Sequence, residues 1–278
     1  MPTPICADAA ALGWMSILVT IGVHVNYSHL ARPLLQSCRN RQFVTHRPQV
    51  IELPACLSRQ ARCRRRHAFL TYVSTLLVVL CIVSDLLLHR RPCFHDSRLF
   101  WGLVDNATHS TVSLLAWTIA SHVSMFPHRM VPEALCAVAA GSLLDADHFL
   151  AAHAISLRAA TSLDARPWGH SVTFIIVVAA VAWMVLPAKF NQRGAALLFV
   201  CLTSHQLRDA FRRGLWFAPF GSTPALPYWL YLVLEVLVPV GVGSWLLRWS
   251  LRRCTPLNST SSIAPEALDH GNSTTFIV

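Results

Sequence analysis

The chain has 278 residues, 54% of them apolar and only 13% charged, about half the charge content of a soluble domain. So few charges cannot clothe the surface of a soluble fold this size, and composition therefore points to a membrane protein. The net charge is +10, and all 23 basic residues except Lys189 are arginine; they lie in short loops and tails between apolar runs, a pattern that fits anchoring beside anionic headgroups and not a nucleic-acid-binding face.

In chain order, the first feature is an apolar run at 11–25. It is shorter than the roughly 20 residues a span needs, and no basic segment precedes it as in a signal peptide; it is a short seventh segment at most. It lies within residues 1–68, which read as a polar, Arg-rich N-terminal tail. Six apolar stretches follow, at 69–88, 107–126, 131–153, 171–187, 194–211 and 226–247. They predict an all-α, polytopic transmembrane helical bundle over 69–247, in contact with the lipid bilayer. Pro127, Pro132, Pro187, Pro224 and Pro227 fall at the ends of these stretches, where proline disturbs a helix least. Residues 248–278 form a polar, Ser/Thr-rich tail. Basic residues slightly favour the face that carries the N-terminus, which leans it towards the cytoplasm. The nine cysteines contain no CxxC pair, so neither a disulfide framework nor a zinc finger is expected. Asn258 and Asn272 begin N-x-S/T sequons, and the ending Thr-Thr-Phe-Ile-Val278 has the form of a weak PDZ ligand.

Ionisable groups inside spans cost ~2.5–3.5 kcal/mol each on insertion scales and mark function by default. Here they come as acid–histidine pairs: Asp105 with His109, Asp145 and Asp147 with His148, and His205 with Asp209. Spacings of three and four put both members on one helix face, where imidazole nitrogen and carboxylate oxygen can serve one ion. His170 opens the fourth stretch. Because spans alternate direction, the start of the second, the end of the third, the start of the fourth and the end of the fifth share one membrane face. All these groups lie at those four ends, which points to one composite site. Local alternatives stand beside this reading: Asp105 and His109 can form a simple hydrogen bond, Asp209 can pair with Arg212 or Arg213, and Asp85 either joins the site or pairs with Arg90.

The strings Asp105-Asn-Ala-Thr-His109, Ser142-Leu-Leu-Asp-Ala-Asp-His-Phe149, Thr203-Ser-His-Gln-Leu-Arg-Asp-Ala210 and Arg213-Gly-Leu-Trp-Phe-Ala-Pro-Phe-Gly221, in this order, resemble the transmembrane protein 267 family. More remotely, the order Asp-x-Asp-His, His-Ser, His-x-x-x-Asp resembles bacterial inner-membrane proteins described as metal-dependent hydrolases. That resemblance implies metal or catalytic roles for Asp145, Asp147, His148, His170, His205 and Asp209. This chain departs from it at Ala165 and Pro167, where the bacterial string has His and Gly ahead of the His-Ser pair.

Taken together, these observations give a divalent-metal site, for Zn, Mn or Fe, with Asp145, His148, His205 and Asp209 as ligands. Asp147 is then the general base or a bridging ligand, and His109 and His170 complete the shell or shuttle protons. Arg208, Arg212, Arg213 and Arg166 are placed to hold an anionic group, so a membrane-borne lipid or phosphoester is the expected substrate of a hydrolase. Two other classes fit the same residues. One is a structural or adaptor protein whose polar cluster holds helices together. The other is a cation or proton transporter, for which Glu235 in the last stretch is the main sign.

Overall fold

The computed structural model describes residues 53–89, 98–125 and 130–254. The run at 11–25, both sequons and the C-terminal Val278 lie outside the described residues. The described chain is predominantly helical: α1 (Leu53–His89), α2 (Arg98–Val123), α3 (Met130–Leu143), α4 (Ala146–Ala151), α5 (Leu157–Ala160), a 3₁₀ turn (Trp168–His170), α6 (Val172–Val185), α7 (Asn191–Arg213), a two-residue hairpin of β1 (Trp216–Phe217) and β2 (Gly221–Ser222), and α8 (Tyr228–Cys254).

Helix α1 starts at Leu53, inside the stretch expected to be tail. The segment before the apolar run contains arginines, which are good helix formers, so the apolar helix propagates backwards through them. The expected third span breaks at Leu144-Asp145, separating α3 from α4.

Among the described residues, three helical stretches are long and apolar enough to cross a bilayer: Arg64–Leu88, Val131–Ala151 and Tyr228–Arg252. At 14 residues, α6 is about 21 Å long, less than the roughly 30 Å hydrocarbon core. Helices α2 and α7 have the length, but their polar residues lower their hydropathy. Those residues face protein: Thr108, His109, Ser110 and Ser113 of α2, and Ser204, His205, Gln206 and Arg208 of α7, are all buried. Hydropathy and length thus single out three candidate spans among the described residues, where the apolar runs suggested six.

Helix α2 is the centre of the bundle and packs against α1, α3, α7 and α8. One apolar layer joins Leu70, Val73 and Leu77 of α1 to Val112 and Ile119 of α2 and Leu232 and Val236 of α8. A second layer, rich in small residues, joins Ala116 and Ala120 of α2 to Ala137 of α3 and Ala196 and Val200 of α7. Outside, α1 exposes Tyr72, Leu76, Val79, Val83 and Leu87, and α6 exposes Phe174, Ile176, Val177, Val181 and Met184. Apolar faces this continuous are expected of surfaces that meet lipid.

Near the site, α2 and α3 touch backbone to side chain at Gly141. A Cβ there would lie 2.5 Å from Ser113 Oγ and 2.7 Å from the His109 carbonyl oxygen. Gly141→Ala should therefore push α3 off α2 and destabilise the protein by about 1–3 kcal/mol, the usual cost of overpacking. Thermal unfolding in detergent tests this; a variant as stable as wild type would show that the two helices separate freely.

Candidate metal centre

Four chain segments meet at one end of the bundle. The N-terminal half of α2 supplies His109, the α3–α4 turn running into the first turn of α4 supplies Asp145 and Asp147, the 3₁₀ turn supplies His170, and the last turns of α7 supply His205 and Asp209. The break after Leu143 is what turns Asp145 and Asp147 inward: the chain bends through Leu144-Asp145 before α4 starts. The 3₁₀ turn is fixed on both sides. The Ser171 hydroxyl accepts from Phe174 N at 3.1 Å and caps α6, while Gln206 Nε2 donates to the Gly169 carbonyl at 3.4 Å.

At the centre, His205 Nε2 lies 3.3 Å from His170 Nε2 and 3.3 Å from Asp145 Oδ1, and His170 Nε2 lies 3.5 Å from the same Asp145 oxygen. Asp209 Oδ2 stands 3.6 Å from His170 Nε2, and its Oδ1 stands 3.7 Å from His109 Nε2. The His109 ring stacks on that of His205 with centroids 3.7 Å apart. A neighbouring group contains Asp147, His148 and the other nitrogen of His170. Three groups able to hold an ion thus overlap among the described residues, sharing His170 and His205.

The histidines are oriented from behind. His205 Nδ1 is 3.0 Å from the Gly141 carbonyl and His148 Nδ1 is 3.2 Å from that of Ala160. A carbonyl only accepts, so in both rings Nδ1 carries a proton, and Nε2 is the nitrogen left to offer a lone pair to an ion. His170 Nδ1 faces Asp147 Oδ2 at 3.1 Å, which directs its Nε2 to the centre. Asp145 is held by Asn106, whose Nδ2 donates to Asp145 Oδ2 at 3.4 Å and to the Ser142 carbonyl at 2.9 Å; Ser142 Oγ donates back to Asn106 Oδ1 at 2.6 Å. Histidines backed by carbonyl or carboxylate acceptors are the usual surroundings of metal ligands. Burial pulls the His170 imidazole down, but hydrogen bonds to Asp145 and Asp147 and the Asp209 charge outweigh it and push it up to about 9. The carboxylates gathered there call for positive charge, either a proton or a cation that displaces it.

The comparisons with known proteins bear on the same segments. A family profile described as YdjM inner membrane protein matches residues 104–261, more than half of the chain. Transmembrane protein 267 of Bos taurus is 34% identical over 169 residues, covering 57% of this chain and 74% of its own length. The Xenopus laevis protein of the same name is 37% identical over 142 residues, covering 50% and 65%, and that of Danio rerio is 31% identical over 172 residues, covering 60% and 76%. The chain belongs to the transmembrane protein 267 family. It is an integral membrane protein, and no solved structure matches it.

In this member of the transmembrane protein 267 family, two expected roles change. Arg208 does not wait for an anion. It is wholly buried, its Nη1 donates to Asp105 Oδ1 at 2.6 Å, and its Nη2 faces Asp85 Oδ1 at 3.4 Å. Arg212 also faces Asp85, at 3.4 Å, and Tyr228 OH donates to Asp85 Oδ2 at 3.3 Å. Asp105 and Asp85 are thereby the counterions of Arg208, and Asp105 is drawn away from His109, because a guanidinium offers it a stronger partner than a neutral imidazole. Arg166 is placed differently. Its Nη1 donates to the Gly214 carbonyl at 2.9 Å, and burial together with the Arg213 charge beside it holds it below its ordinary value, against the pull of Asp209. Two neighbouring guanidiniums at the edge of the centre suit an anionic group.

Proposed function

We propose that this protein carries a catalytic divalent-metal centre at one membrane face, with His170 Nε2, His205 Nε2 and Asp145 Oδ1 as the ligands. The observation behind this is the triangle of 3.3, 3.3 and 3.5 Å between those atoms. Tetrahedral zinc with bonds of 2.0–2.1 Å needs ligand atoms about 3.3–3.4 Å apart. Two imidazoles and a carboxylate also suit manganese and iron. Three protein ligands leave a fourth position for water, the arrangement of catalytic rather than structural sites. A metal held there supplies Lewis-acid polarisation and a water of lowered pKa.

The surrounding residues take roles that follow from their positions. Asp209, more distant and backed by His109, is placed to accept a proton from the attacking water. Asp147 orients His170, and His148 lies edge-on to the same ring with centroids 4.7 Å apart. Arg166 and Arg213 hold the anionic part of the substrate. The substrate class is a membrane-borne phosphoester, because the segments that carry the site also expose apolar side chains, Leu150 on α4 and Trp168 in the 3₁₀ turn. In this reading α2, α6 and α7 also sit within the bilayer, sheltered by α1, α3 and α8, to make six membrane segments.

The test is metal content by mass spectrometry on detergent-purified protein, wild type beside Asp145→Ala/His205→Ala. Near-stoichiometric metal in the wild type, lost in the double variant, is expected. Phosphoester release from lipid vesicles should then depend on Asp209 and fall at least a hundredfold in Asp209→Asn, within the range general bases contribute. Absence of metal from both proteins would leave the cluster as a proton-holding network and end the hydrolase reading.

A further inference from the structure

A second polar site lies deeper in the bundle, away from the metal centre. Glu235 of α8 is 1% exposed, and neither carboxylate oxygen has a hydrogen-bond partner. Two more buried polar atoms on the elements packed around it are unpartnered, Arg208 Nε on α7 and Ser74 Oγ on α1, and Tyr231 OH, one turn earlier on α8, has no partner beyond the Cys81 thiol. Buried polar atoms are nearly always satisfied, by protein or by water. Unpartnered polar atoms on three packed helices leave hydrogen-bonding capacity that water or a ligand would satisfy. Pro239 adds to it. Lying inside α8 four residues after Glu235, it has no N–H to return to the Glu235 carbonyl.

Charge decides what the site takes. The ionisable groups whose charge is felt at Glu235 are Arg208 of α7, Asp85 and Cys81 of α1, and Tyr231 of its own helix. The only cation among them is already committed: Arg208 and Arg212 together balance Asp85 and Asp105. An ionised Glu235 would be a surplus negative charge inside a helix that qualifies as a membrane span, and such a charge is not tolerated unpaired. Val112 and Ile119 close the α2 side with apolar groups. The path of polar atoms runs instead from Glu235 past Tyr231 OH and Arg208 Nε to Asp85, and from there to the partly exposed Arg212 at the end of the bundle that carries the metal centre.

We propose that Glu235 is an intramembrane proton-binding site, occupied at rest, that exchanges its proton with the metal-bearing face along the polar side chains of Tyr231 and Arg208. The inference does not depend on the metal centre. It gives the protein a second chemistry, the loading and unloading of a proton inside the bundle.

Infrared difference spectroscopy on the full chain in lipid nanodiscs tests it. The wild type should show a protonated-carboxyl band that E235Q lacks, and that band should shift within minutes of transfer to D2O. Y231F should keep the band and slow its shift at least tenfold. Because an amide closely replaces a neutral acid, E235Q should unfold at the wild-type temperature. If that variant does not fold, carbodiimide coupling to Glu235 in the wild type at neutral pH, mapped by peptide mass spectrometry, reads the same proton. No band lost in E235Q, a band that keeps its proton for hours, or an uncoupled Glu235 would each overturn the proposal. A band removed by sodium at constant pH would also overturn it, by making this a cation site.

Discussion

Arg208→Met should destabilise the protein by about 3–5 kcal/mol, the range for removing one partner from a buried ion pair. Arg208 is wholly buried and reaches Asp105 with one nitrogen and Asp85 with another, so it ties α7 to both α2 and α1. Methionine fills similar space but leaves the 2%-exposed Asp85 side chain with only Arg212 and Tyr228. Arg208→Lys should recover less than half of the loss, since an ammonium cannot match a planar fork aimed at two carboxylates. The triple variant Arg208→Met/Asp85→Asn/Asp105→Asn should regain most of it, because it buries no orphaned charge. Unfolding midpoints in a graded mixture of denaturing and mild detergent give all three comparisons. If Arg208→Met alone matched wild type, the buried guanidinium would be a passenger and not the joint between three helices.

That network also shows where the sequence could and could not be read. Sequence position pointed to Asp145, Asp147, His148, His170, His205 and Asp209 as one group, and their side chains lie in overlapping clusters at one end of the bundle. It could not say which acid would meet which base. Asp105 and His109 are four apart on one helix face, yet Asp105 turns to an arginine some hundred residues later in the chain. Such a choice depends on how α7 is rotated against α2, and no periodicity records that. The same rotation leaves Arg208 buried, although its spacing made it look like a headgroup anchor equal to Arg212.

Positions that contribute backbone or neutral polar groups were also invisible. Gly141 gives the carbonyl that fixes the His205 tautomer, Asn106 holds Asp145, and Gln206 fastens the 3₁₀ turn. Asn106 at least lies between Asp105 and His109, and Gln206 directly follows His205, so the recurrent strings that carry the family resemblance contain them. Nothing in an apolar run distinguishes a glycine needed for close approach from one that is incidental. At the far end of the bundle, Arg193 forms a double contact with Glu133, at 2.5 and 2.7 Å, and Trp117 Nε1 donates to the same carboxylate at 3.2 Å. That joint between α2, α3 and α7 couples three helix segments that sequence distance keeps apart.

Asp147→Asn should weaken zinc binding by about 10–100-fold while leaving the fold intact, the effect of losing an acceptor behind a ligating histidine. Asp147 Oδ2 receives the Nδ1 proton of His170 at 3.1 Å. An asparagine at the same place can turn its NH2 towards Nδ1, which moves the ring proton to Nε2 and blocks the lone pair the ion needs. Acidity complicates the reading in a predictable direction. The Asp147 hydrogen bond helps to push His170 up to about 9, so the variant releases its competing proton more readily, and at neutral pH this offsets part of the loss. Above pH 9 that competition disappears and the full drop should be seen. Gly169→Ala provides a control that changes no charge, because a Cβ at residue 169 would collide with Asp147 Oδ2 and move the carboxylate off His170. Competition titration with a zinc chelator at pH 7 and pH 9.5 measures both variants. If both weaken zinc, with the larger loss at the higher pH for Asp147→Asn, Asp147 works through the orientation of His170; if Asp147→Asn binds as tightly as wild type at both, His170 is held by its turn alone.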